Sequence, residues 1–445
     1  MKIMPTVPKE PILETRLGED YAYCTDRNRS WKLDDASTQM IHSLFCDSHP
    51  LLLRLAIMRF SALFMLPIGS ASAAALWKKL PATGLAPQNR SSPATGTIGN
   101  DVYTFGGLFD NFAAFQNTFY NDLFKFDTTT NTWTELTPTG PLPDARTFAA
   151  STALGSELFV YGGSSYDPSF FPFTVYDDLW AYDSVTNEWR EIVAAGPSPG
   201  QRNGAILVAD ECNDKLYLYG GLNGFFQFFS DVWEFDVLTE TWTELVPASG
   251  SPVPPPRDIA NAGKTALNGK IVIYGGEGAA ALGFPTLEDV WEFDIATQTW
   301  TDRTPTMTMI SPHRNFAASE NINGDLYVHA GDIPGGAAGC GAPFLQALTD
   351  DIWRLKINAN GQYKWNQVTD YTGDSDALID LKRQSSSVVN GKMYVLGGFD
   401  FDCPTGEGDG QIWNNDIWVF DPDTDDDDSS SSSDGGGCAA SSSSD

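Results

Sequence analysis

The sequence is poor in residues that bind metals and nucleic acids. Its 445 residues include four histidines and six cysteines, and no CxxC pair is present, so a structural zinc site has no support. Basic residues are also scarce: 27 Lys and Arg stand against 58 Asp and Glu, which gives a net charge of −31. A surface this acidic repels nucleic-acid phosphates and anionic membranes. The sequence therefore predicts no metal, no cofactor and no nucleic-acid partner.

Long apolar runs are equally scarce, and one short run follows 57 residues that contain no repeat. It has a basic start, a brief apolar stretch and a small-x-small cleavage site before Ala74, as secretory signals do. We therefore predict that residues 1–57 are a non-native or disordered extension, that residues 58–75 are a cleaved signal peptide, and that the protein is secreted. Two alternatives stay open. The uncharged stretch 60–77 is just long enough to anchor the chain in a membrane, or it is a buried segment without a targeting role.

Six segments after this run share one pattern of residues. Each has an Arg near a Pro-rich loop, an apolar strand, a short turn and a second strand that ends in Gly-Gly or a degenerate pair. A long loop follows, and then come an Asp before an aliphatic and an aromatic residue, a Thr/Asn turn and, in most segments, a Trp. The Arg residues are Arg90, Arg146, Arg202, Arg257, Arg314 and Arg383, and the Asp residues are Asp122, Asp178, Asp231, Asp289, Asp351 and Asp416.

Each segment predicts four short strands joined by tight turns, because its apolar residues recur with a period of two. One such blade cannot bury both faces alone, so the blades must stack around an axis. The pattern resembles the kelch family: Leu158–Gly163 and Asp289–Asp294 fit its motif, and the period of about 55 residues is near the ~50 typical of kelch repeats. The resemblance covers residues 76–421. It implies an all-β, six-bladed propeller of four-stranded antiparallel blades, related in fold to the central domain of galactose oxidase.

The sixth segment lacks its fourth strand, because the chain turns to Asp and Ser after Phe420. A counterpart stands at the other end, where Leu76–Gly84 closely matches Thr132–Gly140. We therefore predict that the N-terminal strand completes the last blade and closes the ring, which removes exposed sheet edges. Residues 422–445 are rich in Asp, Ser and Gly and predict a disordered tail.

The six Arg residues precede the first strands of the blades, near the central shaft, and two interpretations of them stay open. One Arg and one Asp in each blade favour an ion pair that locks the blade. Alternatively, the six guanidinium groups form a ring for an anionic ligand, since their forked donors suit carboxylates. The resemblance allows the second interpretation, because kelch proteins use Arg near this mouth for ligands.

The loops after the second strands carry Phe where polar turn residues are expected, on the same face as the Arg residues. These side chains form either a packed cluster of their own or an aromatic recognition surface for a protein or glycan. The candidate binding residues are the six Arg residues together with Phe112, Phe115, Phe171, Phe173, Phe226 and Phe228.

Two cysteines, Cys340 and Cys403, lie in the corresponding long loops of the fifth and sixth blades. Those loops are neighbours on one face, so the Cα atoms can reach the ~5.5–6 Å that a disulfide needs. Secretion supplies an oxidising compartment, and we predict this bridge. Cys212 lies in a turn on the opposite face and is predicted to stay free.

Enzymes with this fold provide the alternative to a binding module. Galactose oxidase needs two His, Tyr ligands and a modified Cys, and no matching set is visible. Kelch specifier proteins use iron with a Glu/Asp/His spacing that Glu320, Asp325 and His329 resemble, but the first gap is one residue too long and His329 occupies a strand position. A sugar mutarotase needs an acid/base pair at the shaft mouth. We predict no catalytic residues and a secreted module that binds a protein or a glycan, with a carbohydrate-active enzyme as the alternative and the oligomeric state open.

Overall fold

The computed structural model describes residues 75–111, 116–167, 172–279, 285–305, 313–334, 346–357, 361–368, 371–373, 381–402 and 410–422. The chain divides into two units, residues 1–70 and 71–445, and all of these residues belong to the second. Within them the protein consists of strands and turns, without a helix, arranged as six blades around a central channel. No helix in this part of the chain is long and apolar enough to cross a membrane. The predicted all-β, six-bladed propeller is confirmed.

Most blades run from an inner strand beside the channel through second, third and outer strands, which pair antiparallel in chain order. The fourth blade lacks a regular inner strand, and the outer strand of the sixth blade is the N-terminal strand. From inner to outer, the first blade has Ala94–Ile98, Asp101–Phe105, Leu123–Asp127 and Thr132–Leu136, and the second has Ala150–Leu154, Glu157–Tyr161, Leu179–Asp183 and Glu188–Ile192. The third has Ile206–Asp210, Lys215–Tyr219, Val232–Asp236 and Thr241–Leu245, and the fourth has Lys270–Tyr274, Val290–Asp294 and Thr299–Asp302 beside an irregular inner segment. The fifth has Ala318–Ile322, Asp325–His329, Ile352–Ile357 and Tyr363–Val368, and the sixth has Ser385–Val389, Lys392–Leu396, Ile417–Asp421 and Ala75–Leu80.

The burial of the strands explains their composition. The second strands read as continuous apolar runs, such as Glu157–Tyr161, because neighbouring blades cover both of their faces. The outer strands carry one buried Trp between exposed polar residues. Trp189 of the second blade packs against Phe105 of the first, with ring centroids 5.0 Å apart. The same contact joins Tyr161 to Trp242 at 5.4 Å, so each outer Trp fills the space between two blades.

The N-terminal strand closes the ring as predicted. Ala75–Leu80 pairs antiparallel with Ile417–Asp421 and becomes the outer strand of the sixth blade. Trp77 is buried there, and its ring centroid lies 4.7 Å from that of His329 in the fifth blade. His329 thus takes the place that Tyr161 has against Trp242, so the closing strand repeats the ordinary contact between blades.

The Gly-Gly pairs connect neighbouring blades through the backbone. The N–H of the second residue of each pair donates to the carbonyl oxygen of the residue that begins the next blade, at 2.7–3.1 Å. A Cβ atom on Gly162 would lie 2.3 Å from the carbonyl oxygen of Arg202, and its φ is +63°, so only glycine fits. The six bonds join Gly107 to Arg146, Gly163 to Arg202, Gly221 to Arg257, Gly276 to Arg314, Gly331 to Leu381 and Gly398 to Arg90.

The fourth blade differs from the predicted four strands. Its inner segment bonds to its own second strand between Asn261 and Tyr274 and then leaves it. Ala209 of the third blade binds this segment instead: its N–H donates to the carbonyl oxygen of Lys264, and its carbonyl oxygen accepts from the N–H of Ala266, both at 2.8 Å. The fourth blade therefore keeps three regular strands.

Lys264 gives a physical reason for this departure. Its ammonium group reaches across the channel and donates to the backbone carbonyl oxygens of Thr95 at 3.0 Å and of Ser386 in the first and sixth blades. Burial lowers the pKa of Lys264, and the charge of Glu320, 3.8 Å away, opposes that effect. These acceptors satisfy an ammonium group whose side chain is 23% exposed, and they hold Lys264 in the channel.

Candidate binding site

Five of the six predicted Arg residues form ion pairs inside their blades. Their side chains are at most 2% exposed, and each donates to the Asp of its own blade. In the second blade, Arg146 also donates to the carbonyl oxygen of Gly162 at 3.0 Å and lies 4.0 Å from the ring centroid of Tyr176. This geometry corresponds to the first interpretation, in which the Arg locks the blade. The pairs are Arg90–Asp122 at 2.5 Å, Arg146–Asp178 at 2.6 Å, Arg202–Asp231 at 2.6 Å, Arg257–Asp289 at 2.7 Å and Arg314–Asp351 at 3.0 Å.

The Asp residues also explain why an aromatic residue follows two positions later. Trp291 donates its indole N–H to Asp289 at 2.7 Å, while Arg257 holds both oxygens of the same carboxylate. Burial alone would raise the pKa of Asp289, but the hydrogen bonds and charge of Arg257 outweigh burial and lower the pKa below its ordinary value. The carboxylate therefore stays ionised and holds two side chains of the blade.

The assignment of the sixth Arg was wrong. Leu381, and not Arg383, begins the sixth blade, because its carbonyl oxygen accepts the bond from Gly331. In three other blades the Arg stands 16 residues before the residue whose carbonyl it binds, and Leu381 has this spacing to Gly397. This spacing identifies Leu381 as the start of the sixth blade. The prediction instead chose Arg383, because it has the same residue type as the five other blade starts. Asp416 pairs with Lys79 at 2.5 Å instead of with an Arg.

Arg383 belongs to a ring of residues that surrounds the mouth of the channel. Each member stands two positions after the residue that begins its blade, and each has a positive φ between 47° and 66°. Backbone hydrogen bonds of 2.6–3.3 Å link most neighbours in the ring. The ring consists of Ser92, Phe148, Gly204, Ile259, Phe316 and Arg383.

Two aromatic rings and one cation form the floor of this mouth. The ring centroids of Phe148 and Phe316 are 5.8 Å apart, and the guanidinium carbon of Arg383 lies 5.3 and 5.0 Å from them. At these distances the cation is attracted to the ring faces. Arg383 also donates to Asp110 at 3.2 Å, and Gln411 donates to the other oxygen of that carboxylate at 3.3 Å.

Acidic side chains stand on one side of the mouth, in the fourth and fifth blades. Asp258 and Glu277 face each other across a short antiparallel pair, so their side chains share a face. Burial raises the pKa of Asp258 well above its ordinary value, and the charge of Glu277 adds to this. Burial also raises the pKa of Glu277 to about 7, and the charge of Asp332 contributes. Asp332 itself accepts a hydrogen bond of 2.8 Å from Lys382.

Short hairpins follow the second strands and stand around the mouth; we call them the crown, together with residues 222–229 of the third blade. The hairpins place the predicted Phe-rich loops on the same face as the ring, because a second strand ends where the inner strand begins. They are Leu108–Asn111 with Gln116–Phe119, Ser164–Tyr166 with Phe173–Val175, Asp332–Pro334 with Gln346–Leu348, and Phe399–Asp402 with Gly410–Trp413.

Aromatic side chains of the crown form a row across the first three blades. The ring centroids of Phe119 and Tyr166 are 4.9 Å apart, and those of Tyr166 and Phe173 are 6.0 Å apart. Phe173 stacks on Phe226 at 5.6 Å with an angle of 7° between the rings. Phe226 is 46% exposed, and its neighbour Phe225 is 89% exposed. We call Phe119, Tyr166, Phe173 and Phe226 the aromatic row.

Of the six predicted Phe residues, the structure brings Phe173 and Phe226 together, and it buries Phe228 within the crown. Phe112, Phe115 and Phe171 lie outside the described residues. The sequence interpretation missed Phe148 and Phe316 on the floor of the mouth. A signal existed, because both stand two positions after a repeated Arg. It missed the acidic side as well, for which no repeated pattern exists.

The predictions for cysteine have two outcomes. Cys212 is disulfide-bonded, so the prediction of a free thiol was wrong. Its turn is exposed, and an exposed thiol is open to cysteines from elsewhere in the chain; its partner lies outside the described residues. Cys340 and Cys403 also lie outside them, and their bridge stays a prediction.

The residues that resemble an iron site do not form one. Glu320 accepts a hydrogen bond from Ser386 at 3.0 Å, and Asp325 pairs with Arg354 at 2.6 Å. Burial lowers the pKa of His329 to about 3, so its imidazole is neutral beside Trp77. Within the described ranges, no three His, Cys, Asp or Glu side chains are grouped so that they can hold a metal ion.

The blades and their Gly-Gly and Asp motifs define a kelch propeller, and comparison with protein families agrees. The model described as the KLHDC2/KLHL20/DRC7 Kelch-repeats domain matches residues 62–276 and 173–398, and the Kelch motif model matches residues 381–426. The chain therefore belongs to the kelch-repeat family.

Individual relatives are more distant. The chain is similar to Kelch domain-containing protein 3 of Bos taurus, with 29% identity over 45% of this chain and 51% of the relative. The Homo sapiens protein of that name is 29% identical over 44% of this chain and 49% of the relative. The chain thus spans about half the length of these curated relatives. It is also similar to the N-(sulfonatooxy)prop-2-enimidothioate sulfolyase of Thlaspi arvense, with 27% identity over 56% of this chain and 72% of the relative.

Proposed function

We propose that this protein is a non-enzymatic binding module that recognises a partner protein through the crown and the mouth of the channel. The aromatic row carries this proposal. Three of its rings are half-buried and the fourth, Phe226, is exposed, so the row ends in an accessible aromatic side chain. Large aromatic residues of this kind anchor protein interfaces. Phe225 adds an almost fully exposed ring at the end of the row. The resemblance to Kelch domain-containing proteins supports the same function.

The ion pairs of the blades shape what the partner can contact. Five Arg residues are buried and paired, so they contribute rigidity, and Arg383 is the Arg of the predicted six that reaches the floor of the mouth. A partner therefore meets an aromatic surface on the first three blades and a charged mouth in the centre. A glycan is the second candidate, because sugar rings also stack on aromatic side chains.

The test uses the full chain as bait and two sets of variants. Phe225→Ala with Phe226→Ala removes the exposed end of the aromatic row. Leu238→Ala is the matched control, since Leu238 is 79% exposed in a turn at the opposite end of its blade. We expect the double Phe variant to capture tenfold less partner protein or even less, which corresponds to about 2 kcal/mol for an aromatic anchor. Its melting temperature should not change. The control should keep them.

Two other outcomes decide against this proposal. A lower melting temperature with unchanged capture would identify the aromatic row as a packed cluster. Selective loss of signals on a glycan array, with protein capture unchanged, would assign the surface to sugars.

We also propose that the protein is secreted after cleavage near Ala74. The signal pattern of residues 58–75 supports this, as does the disulfide at Cys212, because disulfides persist in oxidising compartments. Cleavage there leaves the closing strand Ala75–Leu80 intact. N-terminal mass spectrometry of the native protein tests the proposal, and peptides from residues 1–57 would contradict it.

A further inference from the structure

The loop that leads into the first blade contains a sequence motif that the proposed binding function does not use. Asn89, Arg90 and Ser91 form an Asn-x-Ser/Thr sequence, which is the acceptor for N-linked glycosylation. The chain contains this pattern twice, and the other copy, at residues 28–30, precedes the proposed cleavage site. Cleavage therefore leaves Asn89 as the single acceptor in the secreted protein.

The fold leaves the side chain of Asn89 accessible. Asn89 is partly exposed, and its amide group makes no hydrogen bond to any residue that the structure describes. The loop around it faces solvent, because Gln88 is exposed and Leu85 is 61% exposed. By contrast, Asn117 and Asn187 donate from their side chains to backbone carbonyl oxygens at 3.1 and 3.0 Å. An oligosaccharide on Asn89 can therefore extend into solvent without breaking a described contact of the fold.

The other two residues of the motif are fixed once the protein has folded. Ser91 is fully buried, and its hydroxyl donates to the carbonyl oxygen of Leu108 at 3.1 Å. The carbonyl oxygen of Arg90 accepts a hydrogen bond of 2.9 Å from Gly398 in the sixth blade. An enzyme that recognises the hydroxyl of the motif must therefore act before these bonds form. Chains grow by ~5–20 residues per second, so Gly398 is synthesised roughly tens of seconds after Asn89 and the motif stays accessible during that time.

We propose that Asn89 carries an N-linked oligosaccharide, which is attached during translocation and before the ring closes. This inference rests on the proposed secretion. In the transfer, Nδ2 of Asn89 forms a bond to the anomeric carbon of a polyprenol-linked oligosaccharide diphosphate. The bond from that carbon to the diphosphate breaks, the diphosphate leaves with the electron pair, and one amide proton goes to a base of the transferase. The glycan stands next to the first hairpin of the crown, because Ser91 pairs with Leu108 at the base of that hairpin.

The experiment uses the full chain, expressed in eukaryotic cells and isolated from the medium. Its intact mass is measured before and after treatment with peptide-N-glycosidase, which converts a glycosylated Asn to Asp, and peptide mapping locates the converted residue. We expect one mass decrease for the native sequence, with the conversion at Asn89, and complete loss of this decrease in Asn89→Gln. The measurement on the native sequence is decisive even if the variant fails to fold.

The second blade offers a matched control for this position. Ala145, Arg146 and Thr147 stand there in the places of the motif, and Ala145 is partly exposed, as Asn89 is. Ala145→Asn therefore creates an acceptor in the equivalent loop. We expect the double variant Asn89→Gln with Ala145→Asn to regain one glycan.

The outcomes separate this inference from the proposed secretion. A protein that is secreted and cleaved near Ala74 but unchanged in mass would overturn the inference alone, most directly if the double variant carries a glycan. A native protein that is retained in the cells with residues 1–57 attached and without a glycan would contradict the secretion, and the inference with it.

Discussion

The two halves of the channel mouth share one backbone and differ in their side chains. In the first three blades, the residues that follow the blade starts are neutral and hydrogen-bonded. Ser91 donates to the carbonyl oxygen of Leu108 at 3.1 Å, and Asn203 accepts from Ser164 at 2.7 Å. In the last three blades, the corresponding residues are Asp258, Asn315 and Lys382, and the first two leave buried polar atoms without partners in the described chain.

The difference shows that the polar mouth is not required for the fold. The bonds between Gly-Gly pairs and blade starts are the same in both halves, so either set of side chains is compatible with six blades. A buried carboxylate without a donor destabilises the protein, whereas Ser91 and Asn203 do not. Polar groups that destabilise a fold are common at binding sites. The two halves therefore differ in charge and in how well their polar atoms are hydrogen-bonded, and not in the backbone that holds the blades together.

The largest expected effect is a loss of stability when a buried Trp of an outer strand is removed. It tests whether the outer strands stabilise both halves of the molecule to the same extent. Trp77→Ala in the closing strand and Trp189→Ala in the second blade each remove a Trp that is at most 3% exposed. Each should lower the free energy of unfolding by about 3–5 kcal/mol. Chemical denaturation measures both. A loss below 1 kcal/mol for Trp77 alone would show that the sixth blade is closed without this strand.

A slightly smaller effect tests the ion-pair locks, which the sixth blade lacks. Arg146→Leu gives the second blade the residue type that the sixth blade has at this place, Leu381. Among the described residues, the side chain of Asp178 then keeps the indole N–H of Trp180 as its hydrogen-bond donor. We expect a loss of about 3 kcal/mol, because a charge is left without its counterion. Arg146→Leu combined with Asp178→Asn should regain part of it. If the single variant is as stable as the native protein, the Arg does not lock the blade.

The smallest effect concerns the charged half and depends on pH. Burial raises the pKa of Glu277 from its ordinary 4.5 to about 7, so the folded protein binds more protons than the unfolded chain between these values. The contribution of Glu277 to the stability of the native protein is therefore lost as pH rises from about 4.5 to 7. At pH 8, Glu277→Gln should be more stable than the native protein by at least ~1 kcal/mol, and the difference should vanish below pH 4.5.

The control for this last comparison is Glu188→Gln, at an exposed position in the aromatic half. Its free energy of unfolding should stay within about 0.5 kcal/mol of the native value at both pH values. A loss of stability in Glu277→Gln at pH 8 would mean that Glu277 has a favourable partner, and that the two halves of the mouth are alike.

Much of the fold was predictable, because it depends on local patterns that repeat. The Gly-Gly pairs, the buried second strands and the outer Trp residues each recur in phase, and the match of Leu76–Gly84 to Thr132–Gly140 identified the closing strand. The pairing of one Arg with one Asp in the first five blades followed from the same counting. The candidate site was predictable only in part: the face of the crown and two members of its aromatic row, Phe173 and Phe226, were found.

What the sequence could not show depends on residues that break the repeat. Lys264 occurs once, and only the packed channel decides that it reaches the first and sixth blades and draws the inner segment of the fourth blade away. The sequence suggested that Arg383 is the sixth Arg that pairs with an Asp of its blade. The hydrogen bond from Gly331 to Leu381 instead makes Leu381 the start of the blade and places Arg383 in the ring around the mouth.

The sequence by itself determined the number of blades, most of their strands and the way the ring closes, because these follow from periodic burial and from turns that favour glycine. The tertiary structure alone decided which polar groups face the mouth and which of them lack partners. Asp258 and Glu277 stand 19 positions apart in the chain, and their opposition exists only when the two short strands of the fourth blade pair. The charge of such a group is set by burial and by neighbours from other blades, and neither is a local property of the sequence.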